Sequence, residues 1–186
     1  GWRTWVDYPV ALPQGSGALR LWLGFADKRL VTTTADVRLA AVRLQLRPDL
    51  PELDLLQLEG RMSGRRLEGG FEAELKHLTL STRDGLALPS TDLKLAWQAA
   101  AANRPSQGSA TANGLDLDAL ARLAAHLPLD DASRARLARH APRGRVFDLK
   151  LDWKGSPESA GAPEQWSVKG RFEGLGLTAL GPVPGI

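Results

Sequence analysis

Residues 147–153 alternate without a fault: Phe147, Leu149, Leu151 and Trp153 fall on one side of an extended chain, and Asp148, Lys150 and Asp152 on the other. A period of two commits such a stretch to a strand with one face buried or set against something apolar. The same pattern recurs along the chain. Leu19, Leu21, Leu23 and Phe25 alternate with Ala18, Arg20, Trp22 and Gly24, and Asp27-Lys28 supplies a turn into 30–46. Leu56, Leu58 and Met62 alternate through Gly60, and Ser63-Gly64 leads to Phe71, Ala73 and Leu75. Asp84-Gly85 marks a hairpin before Leu93, Leu95 and Trp97, and residues 99–108 read as a small-residue loop. Trp166, Val168 and Phe172 form the last alternating run, and Pro182-Val183-Pro184-Gly185 reads as a connection between strands.

Three runs change parity: near Ala40-Ala41, between Leu75 and Leu78, and at Gly174-Gly176. A β-bulge does this by inserting one residue and bending the strand, so the sheet is expected to curl. Residues 113–141 carry the helix signals of the chain. Asp116 is placed to cap a helix carrying Leu117, Leu120, Ala124 and Leu127, with Pro128 as its stop. Asp130 offers a second cap before a thinly amphipathic helix over 133–141, whose apolar stripe is Leu137, Ala138 and Ala141. The expected fold class is therefore mainly β (α+β): a twisted, curled antiparallel sheet with a helical hairpin around residues 116–141.

With 186 residues, 43% hydrophobic and 24% charged, the chain is globular in composition. It opens without Met on a strand-like Gly1-Trp2-Arg3-Thr4-Trp5, which reads as a single segment, 1–186, of a larger protein. No apolar run approaches the roughly 20 residues that span a bilayer, which puts any membrane anchor outside the segment. A net charge of +3 without a basic motif argues against nucleic acid.

Chemistry-bearing patterns are missing. His77, His126 and His140 have no metal spacing, no Gly-x-Ser-x-Gly elbow occurs, and helix starts explain Asp116-x-Asp118 and Asp130-Asp131. No catalytic residue, metal or cofactor is assigned, and an enzyme is disfavoured. Arg134, Arg136, Arg139 and Arg143 make the densest basic cluster, a face suited to anionic head groups or to solvent. Many long strands share only two short helices as cover, so apolar surface is expected to remain open. Its candidates are Leu93, Leu95, Trp97, Leu149, Leu151, Trp153, Trp166, Val168 and Phe172.

The stretches 11–22 (ALPQGSGALRLW), 86–92 (LALPSTD), 117–129 (LDALARLAAHLPL) and 141–144 (APRG), with Pro184-Gly185, resemble the YhdP-type branch of the AsmA-like bacterial envelope proteins. The resemblance covers nearly the whole chain and rests on structural motifs. It implies a periplasmic segment of a protein anchored in the inner membrane of a Gram-negative cell by an N-terminal helix. It further implies a β-groove whose apolar inner face carries phospholipid toward the outer membrane and supports its permeability barrier, with acyl chains and adjoining segments of the parent chain as partners. The alternative is a periplasmic scaffold or interaction domain whose apolar faces are closed core.

Overall fold

A computed structural model describes residues 15–102, 104–127, 131–155 and 165–176. Its strands are β1 (Ser16–Ala26), β2 (Arg29–Leu44), β3 (Leu53–Leu67), β4 (Gly70–Thr82), β5 (Ala87–Gln98), β6 (Gln107–Asp116), β7 (Arg143–Lys154) and β8 (Gln165–Gly176). Between β6 and β7 lie α1 (Leu117–Ala124) and α2 (Asp131–His140). All eight strands join one open, curled antiparallel sheet in the order of the sequence, so each strand pairs with its chain neighbour. The mainly β expectation, with helices confined to one connection, holds. The expected strand at 1–5, Pro128 and Asp130 as helix signals, and the connection at 182–185 all lie outside the described residues.

The registers decide which side chains share a face, because directly paired residues in an antiparallel ladder point the same way. One cross-strand row reads Leu21, Ala35, Met62, Leu75, Leu93, Ala112 and Leu149. The adjacent row, on the opposite face, reads Arg20, Asp36, Arg61 and Lys76. Alternation thus adds up across strands to one apolar and one polar face.

All three expected parity changes carry a residue in the left-handed region or a register shift. Ala41 has φ 50° and His77 φ 50°, and Gly174 has φ 59° beside the shift at Arg143/Arg145. Two more devices were not legible in the alternation. Gly60 lies against Leu78 so closely that a Cβ would sit 2.9 Å from its Cα, and Asp148 has φ 52°. By register Gly60, His77, Asp92, Asn113 and Asp148 line up across β3–β7. Side chains stand in for ladder bonds there: the His77 N–H donates to Asp92 Oδ1 (2.6 Å) and the Asp92 N–H to Asn113 Oδ1 (2.8 Å). This line is where the sheet bends.

Asp148 also overturns the expectation that Phe147 shares the face of Leu149. The bulge turns Phe147 to the polar side, where the Arg171 guanidinium lies 5.0 Å from its ring centroid. Val146, 4% exposed, takes the apolar side instead. A register shift between Leu55 and Gln57 does the same in β3: Leu55 is fully buried, while Leu56, the expected apolar position, is 45% exposed.

Beyond the bend, α1 closes the apolar face. Val42, Leu53, Leu55, Leu80, Leu86 and Leu88 pack with Ala119 and Leu123 of α1 into the buried core, flanked by Leu39, Leu44, Leu58, Leu78, Leu120 and Leu127. Asp116 caps α1 as its spacing predicts, its carboxylate accepting from the Ala119 N–H at 3.0 Å. That cap orients α1 over the sheet and is worth about 1 kcal/mol. The α2 helix runs Asp131–His140, and the side-chain placement of Leu137 and Ala138 lies outside what the structure describes.

The largest departure is β6. Residues 99–108 read as loop and 113–115 as the approach to a helix, yet Gln107–Asp116 is a central strand. Its propensity is poor, because Gly108, Ala110 and Ala112 offer little side chain to a pleated surface. Packing overrides propensity here: these small residues sit between Trp97, Leu95 and Leu93 on β5 and Trp153, Leu151 and Leu149 on β7.

Candidate functional site

On the open side of the bend the apolar face is uncovered among the described residues. Next to the Leu21–Leu149 row lies a second: Leu23, Thr33, Gly64, Ala73, Leu95, Ala110, Leu151 and Val168. A third, at the strand ends, holds Phe71, Trp97, Gly108, Trp153 and Trp166. Thr33 is the one polar residue in the first two rows, which carry no charge, and Arg66, paired with Phe71, brings a cation to the β3 end of the third. With strands about 4.8 Å apart, a row crossing eight of them extends roughly 34 Å. Exposure is high on the outer strands, where Leu21 is 51% exposed, Leu23 47% and Trp166 67%, while Leu93, Leu95, Leu149 and Leu151 between them are partly buried and Ala112 is buried.

Eight of the nine residues singled out from the sequence come together in these rows. Phe172 does not: it pairs with Val146 on the α1 side of the bend, on the outer strand β8. Leu21, Leu23, Met62, Phe71 and Leu75 belong to the same face but were not singled out. Their alternation was visible, and what was missing was the register that brings β1–β4 alongside β5–β8.

The aromatic row has its own geometry. Phe71 and Trp97 lie with ring centroids 6.0 Å apart, tilted by 32°. Gly108 is required beneath Trp153: a Cβ there would sit 2.1 Å from Trp153 Cζ2, so only glycine lets the indole lie across β6. Trp153 Nε1 is buried and has no hydrogen-bond partner among the described residues. An open cleft of about 920 Å³ at these strand ends takes in Phe71, Trp97, Trp153 and Trp166 together with Gln98, Gln107, Lys154 and Gln165 and, from the ionic side, Glu72, Ser109, Asp152 and Ser167.

The opposite face is held by ions. Arg38 bonds Glu59, Arg61 bonds Asp36, Arg65 bonds Glu72 at 2.7 Å, and Glu74 lies between Lys76 (3.3 Å) and Lys94 (3.1 Å). Arg61 also stands 5.8 Å over the Trp22 ring, which seats this β1 indole on the polar side. Hydrogen bonds from Arg61, Arg38 and Lys94 hold the Asp36, Glu59 and Glu74 carboxyls below the usual carboxylate range. Any stability these pairs add is present above that range and fades as pH falls through the lowered values. All are exposed pairs of small individual worth, and their effect is to mark which face meets water.

The basic cluster is divided. Arg134 pairs with Asp131 on α2, Arg139 is exposed near the end of α2, and Arg143 is exposed at the start of β7. The Arg136 side chain lies outside what the structure describes. The histidines stay apart as well: His77 Nδ1 is 3.6 Å from Asp92, and His126 Nδ1 is 3.3 Å from the Pro51 carbonyl. Among the described residues no group of three or more His, Cys, Asp or Glu could hold a metal ion, and no helix is long and apolar enough to cross a membrane.

An open antiparallel sheet with one ionic face and one apolar face, part of the latter packed under α1, is the class of protein that the described residues define. The family model described as YhdP protein matches residues 1–186, the whole chain, and the chain belongs to that family. It is a family of bacterial envelope proteins not known for an enzyme activity. Comparison with curated proteins and with solved structures returns no match.

Proposed function

We propose that the chain is a non-enzymatic segment of an envelope lipid-transport protein. Its uncovered apolar rows shield phospholipid acyl chains from water between the inner and outer membranes, in support of the outer-membrane permeability barrier. The observation that carries this reading is an uncharged row that crosses all eight strands, beside another that crosses seven, on the open side of the bend. Each methylene moved from water onto such a face contributes about 0.8 kcal/mol, so a few half-buried methylenes per chain hold a lipid without any polar anchor. Head groups stay in solvent. The reading places the segment in the periplasm, within a protein anchored elsewhere in the inner membrane, with β1 and β8 facing adjoining segments of the parent chain. The scaffold alternative, apolar faces as closed core, describes the half beneath α1 and leaves the three open rows without a role.

Native mass spectrometry of the purified 186-residue chain tests the reading. Phospholipid-mass adducts, retained from the cell or acquired from phosphatidylethanolamine–phosphatidylglycerol vesicles, are the expected result. A chain free of lipid after both treatments contradicts it.

A further inference from the structure

The two edges of the sheet are unlike. On β8, Lys169 and Arg171 stand near the bulge at Gly174, and charges and bulges of this kind keep an edge strand from pairing further. On β1 there is one charge in eleven residues and no proline. Its large side chains are exposed toward both faces of the sheet, Leu19, Leu21, Leu23 and Phe25 on the apolar one and Trp22 on the ionic one. Such a strand is a template for another. Arg20 is unmatched as well. It stands directly opposite Asp36, but Arg61 takes both oxygens of that carboxylate, at 2.5 and 2.8 Å, and Arg20 is left without an ion pair among the described residues.

Resting on the reading above only in that β1 faces an adjoining segment of chain, we propose that the β1 edge takes the residues leading into it, 1–11, as a further antiparallel strand. The pairing needs no lipid. The length fits: eleven residues meet the eleven of β1, and Leu12-Pro13-Gln14-Gly15 between them has Pro second and Gly fourth, as a type I turn in a four-residue hairpin loop favours. Gly15 has φ 138°, a conformation suited to glycine. The charge fits, because this loop sets Asp7 directly opposite Arg20 and extends the alternation Arg20–Asp36–Arg61 by one carboxylate. The pattern fits too: Trp2, Val6 and Tyr8 fall opposite Phe25, Leu21 and Leu19, while Arg3 and Asp7 join the ionic face and Trp5 meets Trp22. A slip of one residue would carry Arg3 and Asp7 onto the apolar face, and a slip of two would part Asp7 from Arg20, so a single register satisfies the edge. Pro9 is tolerated on an outermost strand. A second copy is the poorer occupant: β1 holds no carboxylate, so β1 against β1 leaves Arg20 unmatched, and a tethered segment has the higher effective concentration.

The chain has no cysteine, so disulfide trapping reads the register without background. One variant of the 186-residue chain carries Val6→Cys with Leu21→Cys, and a second Trp5→Cys with Trp22→Cys. These are neighbouring pairs of the proposed ladder, and one of any two neighbours is the close, non-hydrogen-bonded kind that a disulfide can bridge. A control carries Val6→Cys with Phe25→Cys, out of register. Under mild oxidation one of the first two is expected to close an intramolecular disulfide in several-fold higher yield than the control, as read by mass spectrometry. Adding Asp7→Arg to that variant is expected to lower the yield several-fold, and Arg20→Asp beside it to restore part of the loss. Equal yields in all three, or no disulfide in any, overturn the proposal, and disulfide-linked dimers in place of the internal bond assign the edge to a second copy. Hydrogen exchange on the unaltered chain decides the matter if the substitutions disturb the strand. Protection is expected at every amide of β1, and alternate amides exchanging as fast as a loop mean an uncovered edge and contradict the pairing. A chain that passes these tests and retains no lipid loses the lipid reading alone.

Discussion

Replacing Leu55 by alanine is expected to cost about 2–5 kcal/mol, the range for deleting a fully packed leucine side chain, and Leu55→Asp to leave the chain unfolded. Leu55 is fully buried, in contact with a core drawn from β2–β5 and α1. That core is small, and among the described residues α1 is the helix packed into it, which leaves little to collapse into the space of the missing atoms. Leu55 is fully buried among apolar side chains of the described residues, so a carboxylate there has no route to water. Urea unfolding followed by circular dichroism measures both. A loss below about 1 kcal/mol for Leu55→Ala would mean that the half beneath α1 is not closed core.

The same change across the bend should behave oppositely. Leu151 is half-buried between Ala110 and Val168, in a row that no other element covers among the described residues. An aspartate there reaches solvent, so Leu151→Asp is expected to lower stability by on the order of 1 kcal/mol while removing most of the lipid that the chain retains. The charge lies mid-row, where acyl chains would pass, and its desolvation opposes their seating. Thermal melting with lipid co-purification checks both halves of the expectation. A collapsed melting temperature assigns Leu151 to closed core, and a folded variant with undiminished lipid takes it off the acyl path.

The contrast between these two leucines also measures how far the sequence could be read. Strand type, the helical connection, the Asp116 cap and three of the bends followed from local pattern, because alternation, capping and parity are properties of neighbouring residues. Leu55 and Leu56 could not be separated that way: both are apolar, and which one faces inward depends on a register shift against β4. Phe147 was misplaced for a related reason, since Asp148 adopts φ 52° in a run whose alternation is unbroken on paper. Strand β6 was hidden by its own composition, because its glycine and alanines are chosen by the tryptophans and leucines of β5 and β7 rather than by strand propensity. As for the candidate face, the residues of β5, β7 and most of β8 were legible one strand at a time. Their union with β1–β4 into continuous rows needed pairings that no local pattern encodes.

The central claim is that acyl chains lie on the apolar face and nowhere else on the sheet. Adjacent residues of β7 test it most directly, because Leu151 points to the apolar face and Lys150, its neighbour, to the ionic one. Each is replaced in turn by photoreactive p-benzoylphenylalanine, the chain is loaded with phospholipid, irradiated, and analysed by mass spectrometry for lipid adducts. The account predicts lipid cross-linked at position 151 and none at 150. Adducts at 150 equal to those at 151, or at 150 alone, would contradict it.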